Sequence, residues 1–279
     1  MKHKTHSSFN HNQQHIFQGA LLSHQLGKID EAEIQYKKLL KSLPLNALLL
    51  TNLGNIALQK GQLEDGLIFL QKSLKIAPNQ SLSHYNCGNA LRDLGRYEEA
   101  IISYDKAVKI NPNYADAFYN RGKVQKKLGQ FDKAIQSLNS VIANNKNYTS
   151  AFWDKALILL LIGNYEEGWE LYEYRWKLST FVQSNFFRHY SKPLWLGKES
   201  LKNKTLMIFS EQGLGDYLQF FRYVKSIQEL GAKVILEAPK PLLSIIKDSI
   251  DEVELIDIGD NSKSYDYCCN LMSLPLAFK

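Results

Sequence analysis

Cysteine is scarce in this chain of 279 residues: Cys87, Cys268 and Cys269 are all there are. That excludes a disulfide scaffold, and the spacing offers neither a zinc framework nor a CxxC redox pair. The adjacent Cys268 and Cys269 read as small buried strand residues. Long apolar runs are missing too. No uncharged stretch approaches the roughly 18 residues that a membrane span requires. The opening MKHKTHSSFNHNQQH lacks the apolar core of a secretory leader. His3, His6, His11 and His15 are irregularly spaced in this polar stretch, which predicts a disordered tail over residues 1–12 and no metal site. The expected location is the cytoplasm.

Charge of one sign is only mildly in excess. Lysine and arginine number 34 against 28 acidic residues. Residues 180–279 are balanced, so the whole surplus falls within residues 1–179. Spread over that length it predicts a solvated basic face, with a preference for acidic partners at most. No nucleic-acid motif accompanies it, and no cofactor motif is complete.

What is present is a ruler. Gly27, Gly61, Gly95, Gly129 and Gly163 recur at one fixed spacing. Ala20, Gly54, Gly88, Gly122 and Ala156 run ahead of them, and Ala32, Gly66, Ala100, Ala134 and Gly168 run behind. Pro44, Pro78 and Pro112 close three of the units. Each unit reads as two short amphipathic helices joined at the glycine, whose left-handed backbone ends the first helix. In the third unit the pattern places helix A over 85–94 and helix B over 97–110. Small residues recur where the two helices cross. Bulky ones (Tyr36, Leu70, Tyr104, Leu138 and Tyr172) recur opposite.

Length, phase, small positions and closing prolines resemble the tetratricopeptide repeat. The resemblance implies an α solenoid of five units over 13–182, with degenerate outer repeats and a concave surface lined by the A helices. Lys146 replaces the proline of the fourth unit, and the fifth runs into EGWELYEYRW.

Asn52, Asn86 and Asn120 hold one position in three successive A helices, with Asp154 in register, and Asn55 and Asn89 follow on the same face. An asparagine carries a donor and an acceptor, so a ladder of them can pair with an extended peptide backbone. It is similar to the asparagine ladder in the repeats of O-linked N-acetylglucosamine transferases. Generic solvated groove positions are the alternative.

Beyond Trp176 the rhythm stops. An aromatic-rich connector at 183–203 is expected to pack rather than to hang free; Phe181, Phe186, Phe187 and Tyr190 fall in or beside it. From residue 204 the pattern becomes a partial α/β, Rossmann-like domain. Strands are expected at 205–209, 234–238, 253–258 and within 265–274, and helices at 217–230 and 241–248. EQGLGD at 211–216 is a tight loop at the end of the first strand. There Gly213, Leu214 and Gly215 form a candidate ligand or anion loop. It is neither a dinucleotide fingerprint nor a Walker loop. Asp216 reads from the sequence as a helix cap.

The run from Trp195 through EQGLGDYLQFFRY and GAKVILEAPKPLL to SLPLAF resembles the glycosyltransferase-like domain that follows tetratricopeptide repeats in many bacterial proteins. It is similar, more distantly, to heptosyltransferases of the two-domain GT-B architecture. That resemblance implies Asp216 as an acceptor-activating base. It also implies a second, donor-binding domain, which these 279 residues do not include, and an apolar sheet face and edge left open to association. The leading expectation is therefore a scaffold that binds a peptide or protein segment. The alternative is the acceptor-side half of a glycosyltransferase, taking a nucleotide sugar only with a completing domain.

Overall fold

The computed structural model describes residues 9–182, 190–260 and 262–279. The chain forms two compact units, 1–151 and 152–279. Phe186 and Phe187 of the expected connector, and His3 and His6 of the expected tail, lie outside the described residues. Among the described residues no helix is long and apolar enough to cross a membrane.

The first unit is built from α1 (His11–Gln25), α2 (Ile29–Ser42), α3 (Ala47–Gln59), α4 (Leu63–Ile76), α5 (Ser81–Asp93), α6 (Tyr97–Ile110), α7 (Ala115–Lys127) and α8 (Phe131–Asn144). The α1 helix begins inside the stretch expected to be a tail. Asn10 and Gln13 form a reciprocal capping box there, which satisfies two backbone N–H groups that would otherwise lack partners. The turn glycines behave as the ruler requires, with φ near +75° at Gly27, Gly61 and Gly95. Helix α6 coincides with the expected helix B. Helix α5 starts four residues ahead of the expected helix A, because Ser83 and His84 occupy buried positions and hide its apolar face. Helix α8 ends where its counterparts do although Lys146 stands in place of proline, so proline is not needed to stop the helix.

Small residues at the crossings are steric requirements. A Cβ on Gly88 would lie 2.5 Å from the Tyr104 ring, and one on Gly66 would lie 2.5 Å from Leu58. Tyr36 and Tyr104 fill equivalent buried positions, yet their hydroxyls differ. Tyr104 donates to Asn89 Oδ1 at 2.8 Å, whereas the Tyr36 hydroxyl has no partner among the described residues. Burial raises the pKa of both phenols. Removing an unsatisfied buried hydroxyl should be neutral or stabilising, and removing a paired one should cost about 1 kcal/mol. Urea melts of Tyr36→Phe and Tyr104→Phe should therefore move in opposite directions, or the first should not move.

The second unit holds the remainder of α9 (Thr149–Leu161), α10 (Tyr165–Tyr172), a 3-10 turn at Glu173–Lys177 and the short α11 (Ser179–Val182). After these come β1 (Thr205–Phe209), α12 (Leu214–Phe221), α13 (Tyr223–Glu229) and β2 (Lys233–Ala238). A 3-10 turn at Lys240–Leu242, α14 (Leu243–Ser249), β3 (Val253–Asp257), β4 (Tyr267–Asn270), a turn at Leu271–Ser273 and α15 (Leu274–Ala277) complete it. The four strands make one parallel sheet in the order β3-β2-β1-β4. The single helix expected over 217–230 is two, broken at Arg222, whose Nε donates to the Gln219 carbonyl at 2.7 Å.

The packing explains why the unit boundary precedes the end of the 34-residue pattern. Ala156 and Tyr172 of the fifth hairpin share one apolar core with Leu206 and Ile208 of β1 and with Tyr217, Val224 and Ile227 of α12 and α13. On the other sheet face Met207, Phe209, Ile235, Ile256 and Cys268 pack with Tyr190 and Tyr265. Both faces are thus buried, which corrects the expectation of an open apolar face. The outer side of β4 is also covered, since Trp195 N donates to Cys268 O and Cys268 N donates to Pro193 O. Trp195 itself is buried and donates from its indole to Glu199 O. Of the described connector residues Trp195 and Leu201 are buried and Tyr190 is half-buried, while most of the others are exposed.

Candidate functional site

The asparagines sit on α3, α5 and α7, half-buried on one side of successive A helices. They are bonded to each other diagonally. Asn86 Nδ2 donates to Asn55 Oδ1 at 2.6 Å, and Asn120 Nδ2 donates to Asn89 Oδ1 at 2.9 Å. Each rung therefore uses one donor of the later asparagine and the carbonyl of the earlier one. Asn120 also donates to the Tyr85 hydroxyl at 3.1 Å, and Tyr104 completes the Asn89 carbonyl.

The remaining groups follow from this arithmetic. Among the described residues the Nδ2 groups of Asn55 and Asn89 stay open as donors, and the Oδ1 atoms of Asn86 and Asn120 stay open as acceptors. Fixed orientation is the main consequence, because a bonded amide loses the freedom to flip. Asn52 stands outside the ladder. The repeat places Leu21 where its partner asparagine would be, so its amide makes no side-chain hydrogen bond among the described residues. Asp154 belongs to α9, beyond the first unit.

Beside the first rung lies a cleft of about 430 Å³, lined by His24, Asn55, Leu58, Asn86, Asn89 and Arg92 among others. It is apolar at Leu58 and polar at the amides, with Arg92 paired to Asp93 at 2.8 Å. That combination suits an extended chain carrying a small or apolar side chain.

The glycine loop of the second unit is arranged differently from the sequence reading. The left-handed residue is Gln212, with φ of 62°, and no glycine of the loop needs that conformation. Gln212 Nε2 donates to the Tyr172 hydroxyl at 2.9 Å, which holds the loop entry. Gly213 is the N-cap of α12, in extended backbone. A Cβ on Gly213 would touch nothing closer than the Asp216 carboxylate at 3.6 Å, and one on Gly215 would meet nothing. Leu214 is exposed between them. Asp216 is the third residue of α12, and its carboxylate makes no capping hydrogen bond. The helix-cap reading is thereby corrected: the carboxylate sits in the first turn, favoured only by the helix dipole.

Sequence reasoning missed the residues that hold this loop. Arg175 is fully buried and grips Glu211 with two bonds, Nε to Oε2 at 3.2 Å and Nη2 to Oε1 at 3.0 Å. It also donates to Glu173 Oε1 at 2.6 Å and to Ser273 Oγ at 2.7 Å. The Met272 backbone N–H completes Glu211 at 2.9 Å. Burial pushes the Glu211 carboxyl up, and the Arg175 charge opposes that shift. Three donors reach Glu211 among the described residues, two from the Arg175 guanidinium and one from the Met272 backbone. Glu237, also buried, accepts from Ser210 N and Gly259 N. Buried polar groups thus gather at the carboxyl ends of β1, β2 and β4. The only sequence signal was an arginine inside an aromatic run, followed by a glutamate opening a glycine loop.

Comparison with known families identifies the helical region. A family described as "TPR repeat" matches residues 88–129, and one described as "Tetratricopeptide repeat" matches 21–81. A further tetratricopeptide repeat family matches 116–148. The chain therefore carries tetratricopeptide repeats within residues 21–148. No curated protein matches the sequence. Among solved structures, a crystal structure of MamA is 26% identical with a TM-score of 0.54, covering 57% of this chain and 92% of its own. A tetratricopeptide repeat protein from Parabacteroides merdae ATCC 43184 is 25% identical with a TM-score of 0.53, covering 62% of this chain and 74% of its own. YrrB, described as a TPR protein with an unusual peptide-binding site, is 19% identical with a TM-score of 0.53. It covers 59% of this chain and 85% of its own, and at that identity the likeness extends to the fold alone.

Proposed function

We propose that this tetratricopeptide repeat protein is an interaction scaffold whose asparagine-lined surface captures an extended segment of another protein. The diagonal amide ladder carries the reading. Asn86 and Asn120 are held by Asn55 and Asn89, which leaves open donors at Asn55 and Asn89 and open acceptors at Asn86 and Asn120 along three successive A helices. An extended backbone offers both kinds of group, and pairing with it reads no side chain. The cleft at His24, Leu58 and Arg92 would add a pocket for one residue of the segment. The test is loss of peptide capture in ladder variants that keep their fold.

A second reading is favoured by the loop of the second unit. A parallel sheet in the order β3-β2-β1-β4, with a glycine loop leaving β1 and opening α12, is what supports reading this unit as the start of a Rossmann-type domain. Gly213 and Gly215 leave room that neither backbone conformation nor packing demands. Among the described residues the Asp216 carboxylate, beside that room, makes no hydrogen bond. In this reading the unit is the acceptor-side half of a glycosyltransferase with Asp216 as base, and a nucleotide sugar binds with a completing domain. A nucleotide-linked sugar at about a hundred times its dissociation constant adds roughly 2.7 kcal/mol to the unit that binds it. A raised melting midpoint, kept in Asp216→Asn, supports this reading for the chain alone. No shift with any nucleotide sugar removes it for the chain alone.

A further inference from the structure

The mild basic surplus has an address. Ile34, Lys38 and Lys41 occupy positions i, i+4 and i+7 of α2, and so share one helix face. Ile68, Lys72 and Lys75 repeat the triad on α4, and Ile102, Lys106 and Lys109 repeat it on α6. All nine side chains are exposed. The isoleucines are 68%, 47% and 55% accessible, high values for large aliphatic groups in a recurrent position. None of the six lysines has an ion-pair partner among the described residues. Of the neighbouring charges, Lys37 pairs with Glu33 and Asp105 with Arg121. In the first turns Asp30, Glu31 and Glu99 pair with Lys60, Lys28 and Arg96. Glu64, Asp65 and Glu98 have no ion pair among the described residues, and they lie one turn before the isoleucines, away from the lysine end of the face.

The fold does not require this pattern. In α8 the same three positions are Gln136, Ser140 and Ala143, and the helix has the same 14 residues. Complementing the helix dipole could account for the last lysine of each triad. It accounts for neither the middle lysine nor the exposed isoleucine.

We propose that the outer face of α2, α4 and α6 is a docking surface for an anionic lipid bilayer. Six unneutralised cations fix the sign of the partner. The residue types choose between a lipid and a protein. Protein interfaces favour arginine and aromatic residues and are poor in lysine, and the triads contain neither arginine nor aromatics. Lysine stems lie along an apolar boundary while their ammonium groups stay in water. An aliphatic side chain between such lysines is the composition of helices that rest in a headgroup layer. Three identical triads in register read no sequence, which suits a surface that is uniform and laterally fluid.

The test is cosedimentation of the full chain with phosphatidylcholine vesicles, pure or containing about one-third phosphatidylserine. Binding is expected to the anionic vesicles only, weakening about tenfold or more between roughly 50 and 300 mM salt. Replacing the middle lysines together (Lys38→Gln, Lys72→Gln, Lys106→Gln) should weaken it at least about tenfold, since each lysine near such a surface is worth about fivefold. Completing the fourth helix with Gln136→Ile, Ser140→Lys and Ala143→Lys should strengthen it, a gain that a misfolded protein cannot mimic. No binding to anionic vesicles, equal binding to both vesicle types, or an unchanged lysine variant overturns the proposal. Binding to polyglutamate without binding to anionic vesicles also overturns it, and reassigns the face to an acidic protein.

Discussion

Replacing Arg175 by methionine should destabilise the second unit by about 3–5 kcal/mol, because it strands the buried Glu211 carboxylate without its counter-charge. The side chain itself is not the main loss. Methionine fills much of the same volume, so the cost comes from a charge that can neither ionise freely nor reach water. The double variant Arg175→Met with Glu211→Gln should recover a large part of the loss, since a neutral amide tolerates the site better than a lone carboxylate. All four tryptophans, Trp153, Trp169, Trp176 and Trp195, lie within residues 152–279. Tryptophan fluorescence therefore reports this unit alone. A denaturant midpoint unchanged in the single variant would show that the pair contributes nothing to stability.

The same pair has a consequence for the glycine loop. Glu211 is held by Arg175, and Gln212 by the Tyr172 hydroxyl. The approach to Gly213 and Asp216 is therefore set by residues of the fifth hairpin and the turn after it. A ligand that needs this loop would lose its site in the Arg175 variant before the unit unfolds globally.

The second large effect is expected at the ladder. Substituting Asn52, Asn86 and Asn120 by alanine should weaken capture of an extended peptide about tenfold or more, since at least two oriented hydrogen-bonding groups are removed. Stability should fall as well, by roughly 0.5–1.5 kcal/mol for each of Asn86 and Asn120. Their amides bond across neighbouring hairpins. Asn52 makes no such bond, so Asn52→Ala alone should leave the melt unchanged and report on binding only.

Much of the helical unit was legible because its period is a steric requirement. Gly88 faces Tyr104 and Gly66 faces Leu58 at distances that admit no Cβ, so the sequence must repeat them. The period therefore predicts helix α6 to its ends. It predicts helix α5 short, because Ser83 and His84 are polar residues in buried positions. The asparagine positions were visible, but their mutual bonding was not, since nothing in register alone says which amide donates to which. In the second unit the strands announced themselves as short apolar runs. The Arg175–Glu211 pair joins residues 36 positions apart with no periodic signal, and only the folded chain brings them together. Asp216 lies in the first turn of α12, but a capping role requires a hydrogen bond that its carboxylate does not form among the described residues.

The account rests most heavily on capture of a peptide backbone by the ladder. The direct measurement is isothermal titration of the full chain with a peptide selected on it from a random library of about a dozen residues per member, alongside the same peptide N-methylated at alternate backbone positions. The account predicts that N-methylation in one register abolishes binding, that most side-chain exchanges are tolerated, and that Asn86→Ala with Asn120→Ala weakens the parent peptide about tenfold. An N-methylated peptide that binds as tightly as the parent, together with a ladder variant that binds the parent as tightly as the unsubstituted chain does, would contradict it.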